Sequence, residues 1–192
     1  MRALLLALSI LAISLPAYAQ TGLRLGKASY GGTGCPAGTA AVALSADKKS
    51  LSLRFDRYQV AAGGSRSFDR KSCNLAIPLS VPQGISVSVV AVDYRGVNRL
   101  PAGAKAQFRA EYFFAGGRGP VLTRAFNGPL QGRFAFSDTI AARVWSACGA
   151  DVILRSNTSL RVSTSGGRAA SSSIRSQDIK TAIVYRLQWR KC

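Results

Sequence analysis

The 192-residue chain contains no histidine. That absence removes Ser-His-Asp and Cys-His nucleophile pairs and the usual zinc hydrolase sites. Acidic residues are scarce as well, eight Asp plus Glu against 26 Lys plus Arg. A hydrolase working with two carboxylates has only Asp93, Glu111, Asp138 and Asp151 to draw on. Their places near strand ends or on outward-facing positions read better as partners for arginine. There is no Cys-x-x-Cys for zinc and no Asp-x-Asp-x-Asp run for calcium, so neither a metal nor a cofactor is expected. No stretch after the N-terminus has the 3.6-residue period of an amphipathic helix.

What is present begins with a leader. Met1-Arg2 precedes an uncharged apolar run that ends at Pro16-Ala17-Tyr18-Ala19. The run is shorter than the ~20 apolar residues that span a bilayer and has the layout of a secretory signal peptide. Cleavage after Ala19 leaves a short lead-in, 20–29, and one domain, 30–192, with no transmembrane segment and an extracellular or periplasmic destination. All four cysteines, Cys35, Cys73, Cys148 and Cys192, lie in the exported part, and in an oxidising compartment they read as two disulfides. Of three connectivities, Cys35–Cys73 with Cys148–Cys192 is preferred, because each pair flanks neighbouring strand runs.

The exported part is a succession of short strand patterns. In the run 85–100, Ile85, Val87 and Val89 alternate with Ser86 and Ser88. Val90, Val92 and Tyr94 then make the second face apolar, as in a central strand covered on both sides. Asp93-Tyr94-Arg95-Gly96 reads as a turn. Residues 39–44 and 50–58 suggest a hairpin across Asp47-Lys48-Lys49. Pro78, inside the alternation of Leu75, Ile77, Leu79 and Val81, marks an edge or bulged strand. Residues 104–114 alternate most cleanly, with Ala106, Phe108, Ala110, Tyr112 and Phe114 on one face. Runs 121–126 and 130–137 flank Asn127-Gly128-Pro129, a hairpin signal. Short strands follow at 139–145, 152–154 and 160–164, then a Ser/Gly/Ala loop at 165–173 expected to be flexible, and a last strand at 181–190. The fold expected is all-β, an antiparallel β-sandwich of jelly-roll type.

Several motifs occur together in one order: Tyr30-Gly31-Gly32-Thr33-Gly34-Cys35-Pro36, Arg70-Lys71-Ser72-Cys73, Val92-Asp93-Tyr94-Arg95-Gly96, Tyr112-Phe113-Phe114, Trp145-Ser146-Ala147-Cys148-Gly149 and Leu187-Gln188-Trp189-Arg190-Lys191-Cys192. In combination the sequence resembles the small secreted four-cysteine proteins of domain of unknown function 4360 (DUF4360), known from fungi and bacteria. The resemblance implies secretion, a single all-β domain and structural cysteines. It brings no catalytic residue with it.

The net charge of +18 points to anionic partners: acidic polysaccharide, lipopolysaccharide or nucleic acid. By strand parity Arg54, Arg109, Arg133, Arg161 and Arg186 point away from the core on different strands. If those strands share a sheet, the five make one guanidinium face, whose forks suit phosphate, sulfate or carboxylate oxygens. The expected function is therefore non-enzymatic binding of an anionic surface polymer. The alternatives are a protein-directed effector or inhibitor presenting loops 61–70 and 115–120, and a small carboxylate hydrolase. Gly116-Gly117-Arg118-Gly119 reads either as a ligand-reaching loop or as a plain connection. Tyr94, Tyr112, Phe113, Phe114, Trp145 and Trp189 read as core or disulfide-packing aromatics rather than as a sugar platform.

Overall fold

The computed structural model describes residues 22–140, 143–175 and 181–192. The expected leader lies outside them. Among the described residues there are thirteen strands and no helix. In chain order these are β1 (Arg24–Leu25), β2 (Ser29–Gly31), β3 (Ala40–Leu44), β4 (Ser50–Phe55), β5 (Gln59–Ala62), β6 (Phe68–Ser80), β7 (Ile85–Leu100), β8 (Lys105–Phe114), β9 (Val121–Asn127), β10 (Leu130–Thr139), β11 (Val152–Ser163), β12 (Ala170–Ser173) and β13 (Ile183–Lys191). Sheet 1 runs β1-β6-β11-β8-β9, with β2 also on β6; sheet 2 runs β3-β4-β13-β7-β12-β5, with β10 on β7. Every pairing is antiparallel.

The clearest alternations become the walls of the core. On β8, Ala106, Phe108, Ala110 and Tyr112 are buried, whereas Lys105 and Arg109 are exposed. Leu51, Leu53 and Phe55 of β4 and Ile183, Tyr185 and Leu187 of β13 face them from sheet 2. The β3–β4 hairpin forms as expected, its turn tied by Ser45 Oγ donating to Asp47 Oδ1 at 2.6 Å and by Lys49 N donating to the same oxygen at 3.0 Å. Both preferred disulfides are present, with Cα–Cα distances of 5.4 Å for Cys35–Cys73 and 6.0 Å for Cys148–Cys192.

Several expectations change. First, β7 does not turn at Asp93–Gly96 but runs on to Leu100. Gly96 pairs with Phe134 of β10, and a Cβ on it would stand 2.2 Å from that ring. The glycine makes room for an aromatic laid across the strand. Second, a bulge leaves Val90 without a partner on β13, between the pairs Arg186–Ala91 and Leu187–Val89. The extra residue returns Val92 and Tyr94 to the core face, and both are buried there. Cover on the other side of β7 falls instead over Ser86 and Ser88, whose hydroxyls donate to Ser146 O at 2.6 Å and Val144 O at 2.9 Å.

Third, β6 is an interior strand. The carbonyl of Pro78 accepts from Gly26 N at 2.9 Å, on the side where β1 gives way to β2. The N–H that proline lacks would point to that same side, at the break between two short strands. Fourth, residues 127–129 are no hairpin turn: β9 pairs with β8 and β10 with β7, so the chain crosses there between sheets. Gly128 packs directly on the Pro101 carbonyl and donates its N–H to Ala104 O at 2.8 Å. Fifth, residues 152–163 are one strand, and the end of the Ser/Gly/Ala stretch is β12, held between β5 and β7. The short strand expected at 139–145 is reduced to the end of β10 and a single bridge, Trp145 with Ser88; residues 141–142 lie outside the described part.

Candidate functional site

A sheet's outer face follows from register, since every second side chain points out and cross-strand neighbours sit side by side. On sheet 1, Arg161 of β11 stands directly opposite Arg70 of β6 and, on its other side, Gln107 of β8. One outward step along β8 in either direction lie Lys105 and Arg109, opposite Ser163 and Ser159. Four cations thus occupy adjoining positions on three neighbouring strands. Glu111 is the acid nearest them, its Oε2 3.7 Å from Arg109 Nη2. Around the cations lies a polar ladder of Ser72, Ser159, Asn74 and Asn157. Arg155 continues the face on β11, opposite Ala76 and Phe113.

Sheet 2 carries a second patch on the opposite side of the sandwich. Arg133 of β10 pairs with Val97 of β7, and Arg95 and Arg99 project beside it from two residues before and after Val97. Next to them Arg186 grips Asp93, with Nη2 and Nε donating to Oδ2 at 2.7 and 2.9 Å, while Ser137 Oγ donates to Oδ1 at 2.6 Å. Burial pushes the Asp93 carboxyl up, but the Ser137 hydroxyl, Arg186 and the Arg95 charge outweigh it and hold its pKa below the ordinary value.

The five arginines singled out from the sequence therefore do not share a face. Arg109 and Arg161 lie on sheet 1; Arg54, Arg133 and Arg186 lie on sheet 2. Parity along a strand settles in or out, and it is silent on which sheet the strand joins. Arg70 was missed because 61–70 read as a loop; β6 in fact begins at Phe68. Arg95 and Arg99 were missed because β7 was expected to turn. Continuing the alternation through both stretches was the signal that could have found them.

The candidate carboxylates do not converge. Asp93 faces outward on sheet 2; Asp138 faces inward on that sheet and accepts from the Tyr112 hydroxyl at 3.2 Å. Glu111 is on the outer face of sheet 1, and Asp151 precedes β11 on a loop. No cluster of three or more His, Cys, Asp or Glu with metal-holding geometry occurs among the described residues. The loops proposed for a protein partner are braced. Gly64 N donates to Gly167 O at 2.9 Å, and Gly117 N donates to Phe114 O at 3.0 Å.

Of the aromatics, Tyr94 is core, its ring 5.1 Å from Phe108 and 5.2 Å from Phe136. Burial pushes the Tyr94 and Tyr185 hydroxyls well above the ordinary tyrosine range. Trp189 is 40% exposed. Tyr112, Phe113, Phe114 and Trp145 are brought together with loop 115–120 around a cavity of about 330 Å³.

These features define a disulfide-stapled, strongly basic antiparallel sandwich with arginine on both outer faces. The chain belongs to the family described as "Domain of unknown function (DUF4360)", which it matches over residues 21–192. It is 33% identical over 171 residues to a protein of Arthroderma benhamiae described as an "Uncharacterized secreted protein", covering 85% of this chain and 69% of the relative. Among solved structures, the enzymatically active domain of bacteriophage CBA120 tailspike protein 4 is similar over 86% of this chain and 19% of its own, at 12% identity and a TM-score of 0.27. The GH31 alpha-xylosidase from Xanthomonas citri is similar over 81% of this chain and 28% of its own, at 9% identity and a TM-score of 0.12. Likenesses that low carry no argument about fold or activity.

Proposed function

We propose that this chain is an exported, non-enzymatic binding protein that holds an anionic polymer against the outer face of sheet 1. Export is supported by the two disulfides and by the secreted description of the fungal relative. One observation carries the binding reading: Arg70 and Arg161 stand directly opposite each other on neighbouring strands, flanked by Lys105 and Arg109. Like charges placed so destabilise a sheet unless something neutralises them. A polymer with regularly spaced phosphate, sulfate or carboxylate groups does that, and each guanidinium binds two oxygens of one group. The net charge of +18 draws the polymer in, and the strands hold the cations at fixed separations.

Salt-gradient elution from immobilised heparin tests the reading. Arg70→Gln with Arg161→Gln is compared with Arg95→Gln with Arg99→Gln, which removes the same charge from the other face. The first pair is expected to elute at clearly lower salt, the second close to the unsubstituted protein. Equal shifts for both pairs, or retention of the unsubstituted protein no stronger than that of any protein of like charge, overturns it.

A further inference from the structure

The cavity at one end of the sandwich is apolar, braced on both sides and charged at its lip. Tyr112 and Phe114 at the end of β8, Leu154 of β11, and Ile140, Val144 and Trp145 after β10 form its wall. On one side loop 115–120 folds back against β8. Gly119 lies so close to that strand that a Cβ on it would stand 1.7 Å from the Tyr112 carbonyl oxygen. Glycine is required there by close approach, and the approach fixes its neighbour Arg118 at the lip. On the other side Ser146 N donates to Val87 O, and Gly149 N to Ile85 O, both at 2.8 Å. The Cys148–Cys192 disulfide ties the same segment to the C-terminal strand. Arg190, which is not part of the wall, sets its guanidinium 4.2 Å over the Trp145 ring and holds it from outside.

A volume of about 330 Å³ is at the small end of the range for small-molecule sites, ~300–1,000 Å³, and too small for a polymer. Tyr112 gives its hydroxyl proton to Asp138, so its ring contributes apolar surface. The ionisable side chains of the wall besides tyrosine are Arg118 and Asp151. Asp151 also borders a separate groove, whose lining includes Arg24 and Lys48. Arg118 has no ion pair among the described residues. Val144, on the wall, is 54% exposed, an apolar surface left open to solvent.

We propose that this cavity binds a small monocarboxylate with an apolar tail, the tail between Tyr112, Leu154 and Trp145 and the carboxylate on the Arg118 guanidinium. This site is separate from the polymer face. Trp145 and Trp189 are the two tryptophans of the chain, so Trp189→Phe leaves Trp145 as sole reporter. Sodium decanoate, kept below its micelle concentration, is titrated into this disulfide-bonded variant while Trp145 emission is followed. A saturable shift at one equivalent is expected. Adding Arg118→Gln is expected to weaken it about tenfold and to remove the preference for decanoate over decylamine. Adding Val144→Asp, at an exposed position that does not endanger folding, is expected to abolish it. Arg70→Gln with Arg161→Gln is expected to bind decanoate unchanged, which separates this site from the polymer face. The proposal is overturned by no saturable shift, by decylamine binding as tightly as decanoate, by unchanged binding in Val144→Asp, or by loss of binding in the Arg70/Arg161 pair.

Discussion

If Arg70 and Arg161 oppose each other as their register requires, the free protein carries a measurable repulsion that salt removes. Directly opposite residues have Cβ atoms ~4.5–5.5 Å apart. Long side chains let the guanidinium groups splay to ~7 Å, where two unit charges in water repel by ~0.6 kcal/mol. At ~0.15 M salt, with a Debye length of ~8 Å, less than half of that survives. A double-mutant cycle of Arg70→Gln, Arg161→Gln and the pair isolates this term from whatever else each arginine does. Urea unfolding with the disulfides intact is expected to give an unfavourable coupling of ~0.5 kcal/mol at ~20 mM salt and close to none at ~500 mM. In thermal melts the low-salt coupling corresponds to about 1–2 °C for a chain of this size. A coupling that is favourable, or that salt leaves unchanged, would refute the reasoning, and with it the account of why this face seeks an anion.

Further outcomes follow from other parts of the molecule. Cys148 and Cys192 are exposed, whereas Cys35 and Cys73 are fully buried, so mild reductant without denaturant should open the Cys148–Cys192 bond first; thiol alkylation and mass spectrometry read the order. Closing loops of 38 and 44 residues, each bond is expected to contribute roughly 4 kcal/mol to stability. Because the folded Asp93 carboxyl titrates below its ordinary value of 3.8, its contribution is complete at neutral pH and fades as pH falls through the lowered value. Arg186→Gln should therefore lose on the order of 1 kcal/mol at neutral pH, Arg186 itself being 61% exposed. Urea midpoints should show that deficit narrowing below pH ~4; a deficit that does not change with pH would assign it to packing. Gly96→Ala forces a methyl into the Phe134 ring and towards Ser173 O, 2.5 Å from its Cβ, and should cost ~1–3 kcal/mol, measured by thermal melts.

Much of the fold was readable from local pattern. The alternation in β8, the extended run that becomes β13 and the turn chemistry of β3–β4 each depend on a few consecutive residues, and each appears where it was expected. The misreadings share a cause. Gly96, Pro78 and Gly128-Pro129 look like breaks when judged by their neighbours in sequence. In each case a distant group makes the residue fit: the Phe134 ring, the gap between β1 and β2, and the Pro101 carbonyl. The site divides in the same way. That Arg109 and Arg161 point outward was legible; that Arg70 completes their cluster was not.

The sequence by itself determined the parity of regular strands such as β4 and β8, the number of crosslinks, the excess of guanidinium and the match to the four-cysteine family. All of these are carried by composition, by short motifs in a fixed order or by the two-residue repeat of an extended chain. Tertiary structure alone decided which strands pair, and so which arginines become neighbours and where four aromatics and a folded-back loop enclose a cavity. Pairing is won by burial of both faces across long sequence separations, and no short stretch of chain records its distant partner.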